Sequence, residues 1–597
     1  MCMSTLLLSL LLVTLGLEEK VGQMLMTHFH TIEDAKKLIE EAHIGGVIYY
    51  NWSNDLTSPE NVKETSDNLQ RLAHIPLLIA IDQEGGVVAR LKEGFTTFPG
   101  ARLLGLTDDP DLAKDIALAM GQEMRAVGIN LNLAPVVDIA ETVKSPLLRR
   151  SFGNSPEKVV LFAEKVLEGF RESGVFSCLK HFPGHGSVES DSHHTLPVQK
   201  KTKDELLKSD LVPFSLLAKY ANTIMTGHIM VPELDSEKCG TLSSNILGLL
   251  REKIGFDGVI ITDSLVMKGV LEQADSVLDA AIQSIQAGAD IVLLGGKQLN
   301  TEGELELTAT DVCNIHQGIL AAVNRGDITE ERIDQSAKRI AALKEKYTPY
   351  TQHFEKHEVI ADRALTALLK NHSIALGEKI WKNECGGTID GLTHWNKGEE
   401  FGSFGIGHFI WYPENSTSPF DQTFPSLIAF LEKEGCTLPA WLKSSSTCPW
   451  NSRDQFSKEL KSEKMVALRQ FLFETKDKQA LYIAYRLKDA LPKILEDLPE
   501  DQKVRVKTNF FTLLADPQGV YALVDYLNFK GAGTSASETY QGRGWGLKQV
   551  LMATDGKLDS FITSAKKVLT ERIDNSPKER GEERWLKGWL ARIDSYQ

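Results

Sequence analysis

The sequence predicts an α/β fold, a TIM-type (β/α)8 barrel followed by a mainly α-helical second domain. Three observations carry this reading. From Val21 to Lys346, short β-rich runs alternate with amphipathic segments. Most of the runs are near-continuously apolar, as parallel strands covered on both faces are. Polar residues suited to chemistry sit just after the runs, where the strand ends of such a barrel open onto its working face.

Taken in order, strands are expected at Gly22–Thr27, Gly45–Tyr50, Leu77–Asp82, Leu131–Val136, Cys178–His181, Thr223–His228, Val259–Asp263 and Ile291–Leu294. Helical periodicity lies between them at Ala35–Ala42, Leu112–Val127, Lys158–Ser173 and Leu278–Ala287. Eight repeats make a barrel domain over residues 17–347, with a doubly wound open sheet as the structural alternative. Past Tyr347 the pattern changes: of nine tryptophans, only Trp52 precedes that point. Ala361–Lys370 reads as a helix inside a connecting stretch, 348–371. A second domain, 372–597, carries helical patterns such as Met465–Glu474 and Lys478–Ala490, interrupted by Gly/Ser/Pro-rich stretches at Glu414–Pro425 and Ser444–Ser452. Gly531-Ala532-Gly533 has no strand-turn-helix context, so no nucleotide loop is expected there.

Net charge is −15, from 81 acidic and 66 basic residues, with no block of Lys or Arg. That balance disfavours nucleic acid and suits a neutral, hydroxyl-rich substrate. Seven cysteines without a CxxC pair read as free thiols, and no structural zinc site is written in their spacing. Thr5–Leu17 carries no charge and has the length of a signal-peptide core, so residues 1–16 are a candidate signal peptide. No Lys or Arg precedes that run and no Ala-x-Ala site follows it. A periplasmic or exported protein is the expectation and a cytoplasmic one the alternative, with membrane contact only through this run. No stable protein partner is expected.

The densest chemical signal is Lys180-His181-Phe182-Pro183-Gly184-His185-Gly186, followed by Asp191-Ser192-His193. Glycines and proline bend the loop, and Asp191 and His193, two apart, lie on one side of an extended segment. A carboxylate beside an imidazole sets its tautomer and tunes its acidity, which is how a general acid/base is built. The histidines fit no zinc motif.

With Ile81-Asp82-Gln83-Glu84-Gly85-Gly86 and Arg90, Arg150-Ser151-Phe152-Gly153, and Gly255-Phe256-Asp257-Gly258 running on to Asp263, the chain resembles glycoside hydrolase family 3, in its β-N-acetylglucosaminidase branch. The resemblance implies Asp263 as nucleophile, His193 as acid/base and Asp191 as its dyad partner. It implies that Asp82, Arg90, Arg150, Lys180 and His181 hold a terminal N-acetylglucosamine and that His228 lines the pocket. It implies no metal and no organic cofactor. Where the branch usually has a second acidic residue after the nucleophile, this chain has Ser264. Alone, Asp263 would read as a turn cap and Arg90 or Arg150 as a surface ion-pair partner; five motifs at strand ends outweigh that.

In the second domain, Ile380 to Gly387 ends in Glu384-Cys385-Gly386-Gly387, and Glu399-Glu400-Phe401-Gly402-Ser403 leads into Gly405-Ile406-Gly407-His408. A glutamate ending a helix ahead of a Gly-x-Gly-His turn resembles the lysozyme-like fold. That resemblance implies Glu384 as a general acid, Ser403 near the water-handling position and Glu399 or Glu400 as a second carboxylate. The expected protein is therefore a retaining exo-β-N-acetylglucosaminidase acting on peptidoglycan fragments (muropeptides) in wall turnover or recycling. Its alternatives are a two-headed hydrolase with a C-terminal muramidase and a non-catalytic peptidoglycan-binding protein.

Overall fold

The computed structural model describes residues 15–298, 306–347, 353–414, 416, 421–535 and 538–597. They form two compact units, Met1–Ala364 and Leu365–Gln597. Most of the N-terminal apolar run lies outside the described residues. Among those described, no helix is long and apolar enough to cross a membrane.

The first unit is the expected barrel. Its strands are β1 (Leu25–Thr27), β2 (Gly46–Tyr49), β3 (Leu78–Ile81), β4 (Leu131–Asn132), β5 (Phe176–Phe182), β6 (Thr223–Thr226), β7 (Val259–Ile261) and β8 (Val292–Leu293). They pair in parallel in the order β7-β6-β5-β4-β3-β2-β1-β8, and an Ile261–Ile291 bridge brings the two ends of the sheet together. That contact removes the open-sheet alternative. Every strand residue is buried, which explains the unbroken apolar runs.

Asp290, buried just ahead of β8, ties the seam: its Oδ2 accepts from the Ile260 amide of β7 (2.9 Å) and from Arg251 (2.5 Å), and its Oδ1 accepts from Ser336 (2.8 Å). The outer helices begin as their sequences dictate. Asp109 and Ser155 cap Pro110–Ala126 and Pro156–Ser173, each with proline in the first turn. Gly169 lets these two helices meet closely, since a Cβ there would lie 2.5 Å from the Lys114 carbonyl oxygen.

A helix, Glu358–Cys385, carries the chain into the second unit and is longer than the Ala361–Lys370 segment expected. Its polar residues are spread around the axis, so no apolar stripe marks its extent in the sequence. The second unit is mainly helical, including Glu463–Glu474, Lys476–Leu495, Glu500–Leu514, Pro517–Lys530, Leu558–Asn575 and Glu583–Asp594. It also holds a small antiparallel sheet of β9 (Thr393–His394), β10 (Gly402–Phe404) and β11 (Phe409–Trp411), in the order β11-β10-β9. Gly405–His408 turns β10 into β11, with Gly405 and His408 at positive φ.

Candidate active site

The residues singled out in the first unit gather where the barrel strands end. Lys180, in β5, is 2% exposed and reaches Asp82 Oδ1, just past β3, at 2.7 Å. It also reaches Glu84 Oε1 at 2.7 Å. Arg150 donates from Nε and Nη2 to the two oxygens of Glu84 at 2.9 and 2.7 Å. Burial alone would raise the Glu84 carboxyl, but the two cations outweigh it and hold it far below the ordinary range. Arg90 lies 3.8 Å from Asp82, and its backbone N–H donates to Gln83 at 2.8 Å. Asp82 is 17% exposed, so cations gathered on a buried glutamate surround an accessible carboxylate that can accept from sugar hydroxyls.

His181 donates from Nδ1 to Asp138 at 2.7 Å, which leaves Nε2 as the nitrogen able to meet a ligand. The same buried Asp138 accepts from the His181 and His185 amides at 3.0 and 2.6 Å. Asp263 follows β7 and accepts the Ser264 amide at 2.8 Å. Burial pushes its carboxyl up, but the histidines around it and the Ser264 N–H outweigh this, so it stays ionised. His193 lies on a loop with a half-exposed side chain and bonds through Nδ1 to Asp191 at 2.8 Å. Desolvation pulls its pKa down, but the hydrogen bond to Asp191 and the charge of Asp263 win and hold it above the ordinary imidazole value. Asp191 is held well below the usual carboxylate range, chiefly by the same hydrogen bond.

His228 is the exception to the expected pocket lining. It is fully buried, with Nδ1 on Thr241 (2.8 Å) and Nε2 on the Ser264 carbonyl (2.9 Å). Both nitrogens are committed inside the protein, and the Nε2 bond holds the backbone just after Asp263. Ser264 in turn donates to the Gly295 carbonyl at 2.6 Å, a contact across the barrel seam.

Glu84 and Asp138 were not among the residues the sequence singled out for a role. Glu84 stands two residues after Asp82, and Asp138 follows β4 much as Asp82 follows β3. A third group also went unremarked: His28 and His30, past β1, both turn Nε2 to Glu306, whose other oxygen meets Lys297 at 3.1 Å. Among the described residues this is the grouping closest to a metal-ligand set. However, the Gly296 N–H donates to His28 Nδ1 (3.4 Å), leaving the His28 proton on Nε2 and aimed at Glu306. That makes it a hydrogen-bonded cluster, walled by Trp52 stacked on Tyr50 with ring centroids 5.1 Å apart.

In the second unit, Glu384 ends its helix and Gly405–His408 forms a hairpin turn. Glu384 is engaged: Arg592 donates to Oε1 at 2.5 Å, and His408 Nδ1 lies 3.7 Å from Oε2. Arg592 also makes paired bonds to buried Asp525 at 2.8 and 2.7 Å. Ser403 is buried in β10, Glu399 accepts from Asn396 at 3.1 Å, and Glu400 is exposed.

Comparison with known proteins locates this architecture. A family model described as the glycosyl hydrolase family 3 N-terminal domain matches residues 16–343. A β-hexosaminidase of Bordetella avium is 34% identical over 270 residues, 44% of this chain and 76% of that protein. The β-hexosaminidase LpqI of Mycobacterium tuberculosis is 31% identical over 334 residues, 55% of this chain and 82% of that protein. Among solved structures, a glycoside hydrolase family 3 β-N-acetylglucosaminidase from a Paenibacillus strain superposes with a TM-score of 0.54 at 36% identity, covering 59% of this chain and 69% of its own.

Proposed function

The chain belongs to glycosyl hydrolase family 3, and on that premise we propose how it acts and on what. It is a glycoside hydrolase of the β-N-acetylhexosaminidase kind. The reaction we propose is removal of a non-reducing terminal N-acetylglucosamine from peptidoglycan fragments, with retention, through a glycosyl-aspartate on Asp263. The observation that carries this reading is the pairing of an ionised, buried Asp263 with His193, a half-exposed histidine held by Asp191.

In the first half-reaction, Asp263 attacks C1 of the sugar while His193 gives its proton to the departing glycosidic oxygen. In the second, His193 takes a proton from water as that water attacks C1, and Asp263 is released. An imidazole adds no negative charge beside Asp263, and its acidity suits transfer in both directions near neutrality. Asp82, Arg90, Lys180, His181 and Arg150 hold the sugar hydroxyls and acetamide, and Glu84 keeps the cations in place. The products serve wall turnover or recycling.

Asp263→Asn tests this on an aryl N-acetylglucosaminide: kcat should fall by about 10⁴-fold or more with an unchanged melting temperature. Near-normal turnover would overturn the reading.

A second reading rests on Glu384 standing at the end of its helix ahead of the Gly405–His408 hairpin turn: a C-terminal muramidase site, making the protein two-headed. Glu384→Gln in the full chain tests it. Loss of new muramic reducing ends from intact peptidoglycan would support a second active site. If the wild-type protein forms no such ends, the muramidase reading falls.

A further inference from the structure

The acid/base histidine needs a fixed place above the sugar, yet Asp191 and His193 are 43% and 44% exposed and hold mainly each other. Between them Ser192 is 3% exposed. It is the buried residue of an otherwise open turn, and two bonds fasten it. Its hydroxyl meets His185 Nε2 at 3.2 Å, and its carbonyl accepts the Gly269 amide at 3.1 Å. Gly269 lies on Lys268–Leu271, the short helix that follows the nucleophile Asp263. A Cβ on Gly269 would come within 2.8 Å of the Ser192 carbonyl oxygen, so the contact is close along its length.

His185 is itself fixed from below. Its amide donates to Asp138, the carboxylate that also orients His181. Its Nδ1 is buried without a hydrogen-bond partner. A bare lone pair costs less there than an orphaned N–H, so the proton sits on Nε2 and is donated to Ser192. Asp138, His185 and Ser192 thus form one chain of hydrogen bonds from the sugar-binding histidine to the acid/base turn.

We propose that His185 and Ser192 are positioning residues for the acid/base: the His185–Ser192 bond pins the Asp191–His193 turn over the barrel mouth and sets how well His193 protonates the leaving group. This rests on the reading of His193 as acid/base. Neither residue touches the reacting atoms. The pin acts through where His193 stands.

The test compares kcat/KM, which reports the glycosylation step, for a 2,4-dinitrophenyl N-acetylglucosaminide and for a substrate whose leaving group is a sugar. The first leaves without a proton; the second needs one. In His185→Phe and Ser192→Ala, kcat/KM for the sugar leaving group should fall by roughly a hundredfold, as a displaced catalytic group implies, while the dinitrophenyl value changes by less than about threefold. His185→Gln, which returns a donor at nearly the same point, should restore most of the loss. The double variant should lose no more than the worse single one, because both break the same bond. Equal losses on both substrates, or no loss in Ser192→Ala, would overturn the proposal. His193→Ala is the control. If it lacks the leaving-group selectivity, the reading of His193 falls; if it shows the selectivity and the pin variants do not, only the pin falls.

Discussion

At the scale of single residues, the site is a set of charges whose values are set by neighbours. The proposed mechanism requires Asp263 ionised and His193 protonated. Asp263 is lowered, so the acid limb of kcat/KM should lie below the ordinary carboxylate range. His193 is raised, so the alkaline limb should lie above about 6.5, the ordinary imidazole value. Asp191→Asn removes the largest part of what raises it, and the alkaline limb should move to lower pH; an unmoved limb would show that another group titrates there. Glu84→Gln should cost about 3 kcal/mol in unfolding free energy, since it leaves buried Lys180 and half-buried Arg150 with one balancing carboxylate fewer. Denaturant unfolding checks this. Much of this site was legible because the residues fall in short runs at strand ends. His228, expected to line the pocket from a motif that looks like the others, turns both nitrogens inward, to Thr241 and Ser264, which no spacing shows.

At the scale of elements, the barrel strands were legible because burial on both faces leaves an apolar run with no alternation to confuse. Their ends were less so. The paired segments stop at Ile81 and Ile261, and Asp82 and Asp263 lie just past the ladder. The seam could not be read at all, since one buried carboxylate, Asp290, joins groups far apart in sequence. Asp290→Ala should lower stability by about 3 kcal/mol or more by leaving the Ile260 amide without its acceptor and Arg251, Arg332 and Arg339 without the carboxylate they share, seen as an earlier denaturant midpoint. The hairpin of β10 and β11 at Gly405–His408 was expected only through the lysozyme-like resemblance, and β9 not at all, because strands of two or three residues carry no period. Glu358–Cys385 was read short for want of an amphipathic stripe.

At the scale of the whole molecule, the change past Tyr347 marks a second unit whose chemistry remains a proposal, while the first unit carries the family. Its stability has a pH signature in Lys344, buried against Gln23 at 2.7 Å. Burial pulls the ammonium down to about 7, whereas the unfolded chain holds that proton up to about 10.4. Between these values the unfolded state binds more protons, so this lysine's contribution to stability rises with pH from about 7 to 10. Lys344→Met should flatten that rise and raise the melting temperature at pH 7; a parallel pH profile would contradict the assignment.

The central claim is that the barrel releases terminal N-acetylglucosamine from peptidoglycan fragments through Asp263. Mass spectrometry of soluble muropeptides incubated with the full chain, and with Asp263→Asn, tests it most directly. The expected result is free N-acetylglucosamine from the first and none from the second. Muropeptides left intact by the wild-type chain, or the sugar released equally by both, would contradict the claim.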